Sequence, residues 1–183
     1  GTQFGGSRNA DCYFDQNVMF DFYDGGGIDL AFLGLAQADE SGNVNVSKFG
    51  PRIAGCGGFI DITQNAKKVF FCGTFTAGGL KTSIKDGKLV IDNEGKEAKF
   101  LKQVEQITFS GKYAASKSQP VMYITERAVF ELRKDGVYLT EVAPGIDVKT
   151  QVIDVMGFEP KIDGTVKTMD ERIFRDEIMG LKK

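Results

Sequence analysis

"RIAGCGGFIDITQNAKKVFFCGTF", residues Arg52–Phe75, is the stretch on which the reading of this chain turns. Gly55, Cys56, Gly57 and Gly58 come directly before Phe59, Ile60 and Ile62, a pattern that predicts a short helix running to Ala66. "KVFFCGTF", Lys68–Phe75, then reads as a strand buried on both faces, with Cys72 in the core. Residues without a Cβ let backbone N–H groups come close to a ligand, and a helix starting there turns its positive end to the same spot. The stretch fits an anion site, for a phosphate or for the oxyanion of an acyl-transfer step. It fits equally a tight strand-to-helix connection packed on a neighbour. Spacing alone leaves both open.

Working outward, Gln16–Tyr23 is aromatic-rich and fits a short helix or a strand, the helix favoured and ended by Gly25, Gly26 and Gly27. Leu30–Ala38 is nearly continuous in apolar residues and predicts a second strand buried on both faces. "ESGN" is a turn into "VNVSKF", a half-exposed strand, so the pair predicts a hairpin. Downstream, Gly79–Ser110 is polar and punctuated by glycine, as in a surface hairpin. Val121–Pro144 predicts three strands with turns at Glu126–Arg127 and Lys134–Gly136. Ile146, Val148, Val152, Ile153 and Met156 have helical spacing between Pro144 and Gly157, and the tail from Asp170 predicts a further short helix. Strands mixed with helices predict an α/β fold with an open mixed sheet flanked by helices.

Composition narrows the function. The 183 residues suit one ordinary domain. The 23 basic and 25 acidic residues leave a net charge of −2, which argues against a phosphate-backbone binder and thus against nucleic acid as a partner. No apolar run reaches the roughly 18 residues of a membrane span, so a soluble protein without a membrane partner is expected. Three cysteines, Cys12, Cys56 and Cys72, without CxxC spacing favour a reducing, cytoplasmic setting over a disulfide or zinc framework. The chain has no histidine, which removes His-activated nucleophiles and imidazole metal ligands from it. No metal is expected. The opening "GTQFGG", with no initiator Met, reads as an internal position of a longer polypeptide.

Other candidates have plain alternatives. Cys56 could be a nucleophile at a helix start, or a small residue in a tight corner. Lys48 and Arg52 flank the loop and could meet a phosphorylated cofactor, or face solvent. Glu126 is the most plausible internal carboxylate for catalysis, against a turn residue or structural ion pair. Gly25–Gly27 could approach a ligand or simply cap a helix. Neither glycine cluster completes a nucleotide fingerprint: Ile60 stands where GxGxxG needs its last glycine, and Gly79 where the P-loop of "GTFTAGGLKT" needs its lysine.

From "FDFYDGGGIDLAFLGLAQAD" through "GCGGFIDITQNAKKVFFCGTFTAGG" to "TERAVFEL" and "LTEVAPGIDV", the sequence resembles the C-terminal half of family I CoA-transferases. It is most like single-chain bacterial acetate/propionate enzymes and is similar to succinyl-CoA:3-oxoacid CoA-transferase. The resemblance implies a NagB/RpiA-like domain, coenzyme A carried as acyl-CoA substrate, a short-chain carboxylate partner, contact with the protein's own N-terminal domain, and a homo-oligomer. It also implies a glutamate nucleophile that forms an acyl-glutamyl anhydride and then a glutamyl-CoA thioester. The backbone N–H of Gly58 would donate to the oxyanion, with Gly25, Gly26, Gly27, Gly55 and Gly57 near substrate. The family's glutamate lies upstream of its G-x-x-F-G loop, here Gly1–Gly5, so no glutamate of this chain inherits the role. Residues 1–183 would then be a C-terminal domain inactive alone. The alternatives are a non-catalytic CoA-binding or oligomer-assembly module, or a hydrolase or isomerase on a similar scaffold.

Overall fold

The computed structural model describes residues 9–181; the Gly1–Gly5 loop lies outside them. Helix α1 (Gln16–Asp24) precedes strand β1 (Leu30–Gly34), β2 (Gln37–Asp39), β3 (Val44–Asn45), β4 (Lys48–Phe49) and β5 (Arg52–Ile53). Helix α2 (Phe59–Gln64) leads into β6 (Lys68–Cys72), β7 (Thr76–Ala77), β8 (Lys81–Lys85), β9 (Lys88–Asn93), β10 (Glu97–Ala98) and β11 (Phe100–Leu101). Helix α3 (Gly111–Ser116) is followed by β12 (Val121–Ile124), β13 (Ala128–Arg133), β14 (Gly136–Val142), α4 (Val148–Gln151) and β15 (Lys167–Thr168). The main sheet has six strands in the order β1-β6-β12-β13-β14-β15. Its first three strands are mutually parallel, β12–β13 and β13–β14 are antiparallel, and β15 joins parallel. The fold is the expected α/β arrangement with a mixed sheet.

Register explains where the core sits. Ala31 lies beside Val69 and Val121, and Leu33 beside Phe71 and Tyr123, so these side chains share one face by the two-residue period of a strand. That face carries the larger core, with Val69, Phe71, Tyr123 and Phe130 fully enclosed. Its rings meet at centroid distances of 5.7 Å for Phe59–Phe71, 5.0 Å for Phe71–Phe109 and 5.6 Å for Phe71–Tyr123. Each such contact adds about 0.5–1.5 kcal/mol beyond simple area burial. On the other face Leu89, Val129, Ala143, Met169 and Phe174 form a second cluster over β12–β14. Among the described residues no such cluster covers β1 and β6, where Phe32 is exposed and Phe70 half-buried.

Several sequence expectations change here. The Leu30–Ala38 run is two strands in two sheets, not one: β1 edges the main sheet, while β2 pairs with β3 and β11. Nor is β1 buried on both faces, since Leu30 is 54% and Phe32 65% exposed. Likewise β6 alternates, with Val69 and Phe71 inside and Cys72 exposed, so Cys72 is not a core residue. The helix read from Ile146 to Met156 is one turn, α4, and a separate 3₁₀ turn at Ile153–Val155. It breaks at Val152, whose backbone leaves helical geometry as its side chain is driven fully into the core. Helix α3 had no periodic apolar signal; Ser110 marks its start by accepting from the Tyr113 N–H at 3.2 Å. The 3₁₀ turn Glu171–Phe174 replaces the helix expected in the tail.

Phe71 and Phe32 are neighbours across adjacent strands on opposite faces, so they separate burial from composition. Phe71→Ala is expected to cost about 3–5 kcal/mol in denaturant unfolding. Phe32→Ser on the same chain should cost less, about 0.5–1.5 kcal/mol, the loss of its exposed stack on Phe70.

Candidate active site

The glycine loop is positioned from both sides. On one side, the buried Asn45 amide donates to Gln37 Oε1 at 2.6 Å and to the Lys48 carbonyl at 2.7 Å, while its Oδ1 accepts from the Ser47 and Lys48 N–H groups. The Ser47 carbonyl in turn accepts from the Ala54 and Gly55 N–H groups at 2.8 and 3.1 Å. On the other side, Phe59, the first residue of α2, stacks on Phe71 near the carboxyl end of β6. The loop is therefore held at the carboxyl ends of the parallel strands, where α/β sheets place their ligands.

Within the loop, Gly55 and Gly57 have φ of +82° and +53°, a conformation costly for residues with a Cβ. Nothing lies within 4 Å of where a Cβ would stand on either. Among the described residues the N–H groups of Gly57 and Gly58 have no acceptor, whereas the Phe59 N–H turns back to the Cys56 carbonyl at 3.0 Å. The arrangement is an open curl of unspent donors at the start of α2, suited to an oxygen carrying negative charge. Cys56 is exposed and fills no corner. Lys48 is half-buried in the β4–β5 hairpin and Arg52 is exposed, pairing in register with Phe49.

Gly25, Gly26 and Gly27 spend their N–H groups differently. These donate to the Asp21, Tyr23 and Phe22 carbonyls at 2.9–3.0 Å and close α1. What the cluster brings near the loop is α1 itself, whose Phe20 ring lies 2.7 Å from the place of a Cβ on Gly58.

Beyond the carboxyl end of β6 lies an ionic cluster that sequence reasoning largely missed. Arg127 is fully buried, with its guanidinium 4.7 Å from the Phe75 ring centre. It donates from Nη1 and Nη2 to Glu94 at 2.5 and 3.0 Å, from Nε to Glu126 at 2.7 Å, and from Nη1 to the Gln151 carbonyl at 3.1 Å. Glu126 also accepts from the Phe75 N–H at 2.8 Å, so both its oxygens are engaged and its role is the structural ion pair. Burial pushes the Glu94 carboxyl up, but the hydrogen bonds from Arg127 and Thr76 outweigh it and hold the group below its ordinary value. Lys99, also nearly buried, stands beside Gly73. The charged "TER" between two apolar strands was the available signal for Arg127; nothing local marks Glu94 or Lys99.

A cavity of about 1040 Å³ opens elsewhere, at the amino end of β12 beside Pro120, Lys112 and the β13–β14 turn. Its Lys161 is already paired with Asp135 at 2.5 Å. The glycine loop differs from this cavity in offering N–H donors without an acceptor among the described residues.

Comparison with known proteins finds relatives along nearly the whole chain. The chain is 51% identical over 180 residues to the acetate CoA-transferase YdiF of Escherichia coli (strain K12), and 52% identical over 183 residues to the caffeate CoA-transferase of Acetobacterium woodii. These alignments cover 98% and 97% of the chain. Over nearly its whole length the chain is similar to one segment of these CoA-transferases. It spans about a third of the length of these relatives, 34% and 35%. The crystal structure of the YdiF apoenzyme from Escherichia coli O157:H7 superposes with a TM-score of 0.93 at 50% identity, covering 98% of this chain and 35% of that one. A thioester complex of the same enzyme with CoA gives 0.91, covering 95% and 34%. No family model matches the chain.

Breaking the ionic cluster should be costly. Arg127→Ala leaves two carboxylates facing a buried gap and is expected to lower stability by about 3–5 kcal/mol in denaturant unfolding. Because Glu94 titrates lower in the folded state than unfolded, its contribution is complete above the unfolded carboxylate range and is lost as pH falls through the folded value. Thermal unfolding followed from neutral into acid pH should therefore show Glu94→Gln less stable at neutral pH but less acid-sensitive than the parent.

Proposed function

We propose that this chain is the C-terminal domain segment of an acyl-CoA:carboxylate CoA-transferase acting on short-chain acids of the acetate, propionate or acetoacetate type. The observation that carries the reading is the curl at Gly55–Gly58, whose Gly57 and Gly58 N–H groups are unspent among the described residues. In this reading a glutamate carboxylate supplied from outside the chain attacks the acyl-CoA thioester. The tetrahedral oxyanion is met by the Gly58 N–H and collapses to an acyl-glutamyl anhydride and CoA thiolate. The thiolate then attacks the glutamyl carbonyl, releasing the acid and leaving a glutamyl-CoA thioester. A second acid reverses these steps. One preorganised donor to such an oxygen is worth roughly 2.7–4 kcal/mol of barrier. Gly55 and Gly57 let the curl form; Gly25–Gly27 turn α1 back toward it.

The bare side of the sheet supports the rest of the reading. Phe32 and Phe70 stack at 4.6 Å with only 7° between their planes, yet Phe32 and Leu30 stay exposed on an edge strand. Open apolar edges are normally covered. We assign this face to the protein's remaining polypeptide, including its N-terminal domain, within a homo-oligomer in a reducing cytoplasm.

The test is thioester exchange between an acyl-CoA and a second acid. The intact protein is expected to turn over and to yield a glutamyl-CoA adduct by mass spectrometry of the trapped enzyme; residues 1–183 alone should show neither. Turnover by the isolated chain would place the nucleophile within it, and an intact protein without exchange would favour a non-catalytic CoA-binding module.

A further inference from the structure

We propose that Lys99 is a carboxylate-binding residue that holds the free acid at the carboxyl end of β6. The inference rests on the transferase reading above and names the side chain that meets the acid rather than the thioester.

Lys99 is 8% exposed. Among the described residues no hydrogen-bond or ion-pair partner reaches its ammonium, and Nζ is not among the fully enclosed unpartnered atoms, so its tip still touches open space. Its place is set by Gly73. The Gly73 N–H donates to the Ile124 carbonyl at 3.0 Å, which continues the parallel ladder one step past β6. Position 73 therefore projects to the same face as position 71. A Cβ there would stand 2.9 Å from Lys99 Nζ, so the missing side chain makes room for the ammonium. Phe71 on that face is the residue on which Phe59 stacks, directly after Gly58. The ammonium and the loop amides thus share one face and one end of the sheet.

The charges around Lys99 leave it short of a partner. Glu126 attracts it through space, but both Glu126 oxygens are engaged by the Phe75 N–H and Arg127 Nε. Arg127 takes up Glu94 as well. Burial holds the ammonium below the usual lysine value, with the attraction of Glu126 only partly offsetting it. A nearly buried cation without a bonded anion is poorly solvated and gains most from a compact anion delivered to its open tip. The acid substrate is such an anion: singly charged, small, and required beside the thioester carbonyl. The phosphates of coenzyme A lie at the opposite end of that molecule from its sulfur, away from this point.

The experiment uses the full-length protein with Lys99→Met, Lys99→Arg and Gly73→Ala, the last keeping the lysine but displacing its ammonium. In ping-pong exchange kinetics kcat/KM for the acid and for the acyl-CoA are separate quantities. The two half-reactions are one set of steps run in opposite directions, so for Lys99→Met and Gly73→Ala both quantities are expected to fall together by about tenfold or more, the loss of one charge-assisted hydrogen bond, while the dissociation constant of CoA stays within about twofold. Lys99→Arg should recover part of the loss. Independently of turnover, modification of Lys99 by an amine reagent, read by peptide mass spectrometry, should slow when acetate is added. Unchanged turnover, CoA binding lost in step with turnover, or labelling indifferent to acetate would overturn the proposal in favour of a structural cation. If Lys99→Met does not fold, Gly73→Ala decides. If the parent protein shows no exchange, the transferase reading fails, and the labelling still judges Lys99.

Discussion

The structure depends on one ring. Phe71 stands in β6 with Phe59, Phe109 and Tyr123 around it, so α2, the segment before α3 and strand β12 all register on the same side chain. A glycine loop has little to hold it in place by itself, because glycine gives up the most conformational freedom on ordering. Here the ordering comes from its ends: Ser47 and Asn45 grip the loop entrance, and the Phe59–Phe71 stack grips the exit. Rigid anchors on both sides let the donors between them stay unpaired without collapsing onto the protein. That is the condition for preorganised stabilisation of a developing charge.

Two polar layers then separate two tasks. Near Gly58 the groups are backbone amides, fixed in direction and uncharged, suited to a charge that exists only in passing. Farther along β6, around Arg127 and Lys99, the groups are full charges in a mostly buried setting, where an unbalanced ion is expensive. Arg127 is balanced within the chain by Glu94 and Glu126, and its burial locks the Thr74–Phe75 turn and the β12–β13 turn together. This division explains why Glu126, the carboxylate that looked most catalytic in the sequence, is structural. Its oxygens are committed to holding two turns, and a committed oxygen is a poor nucleophile.

Much of the architecture was legible. The β12–β13–β14 meander, the β8–β9 hairpin and α2 carried their period and their turn residues in plain form, while the segment of α1 fitted a helix or a strand. The glycine loop announced itself by composition. What misled was apolar content read as burial: Leu30, Phe32 and Cys72 sit in apolar runs yet face outward, on a sheet face that no described residue covers at those positions. Helix α3 was hidden for the opposite reason. Six residues with one buried alanine carry almost no periodicity, and its position comes from Ser110 and from packing on β13.

By itself the sequence determined the local elements and the presence of a donor-rich loop ahead of a helix, since turn chemistry and hydrophobic period act over a few residues. It also carries the likeness to CoA-transferases, because side chains match along nearly the whole chain. Only the tertiary structure decided which charges are buried, which glycine amides are already spent on closing α1, and which loop faces open space. Those outcomes depend on contacts between residues distant in sequence, such as Arg127 with Glu94 or Lys99 with Gly73. No local pattern encodes them, because the free energy of a charge is set by what surrounds it in space.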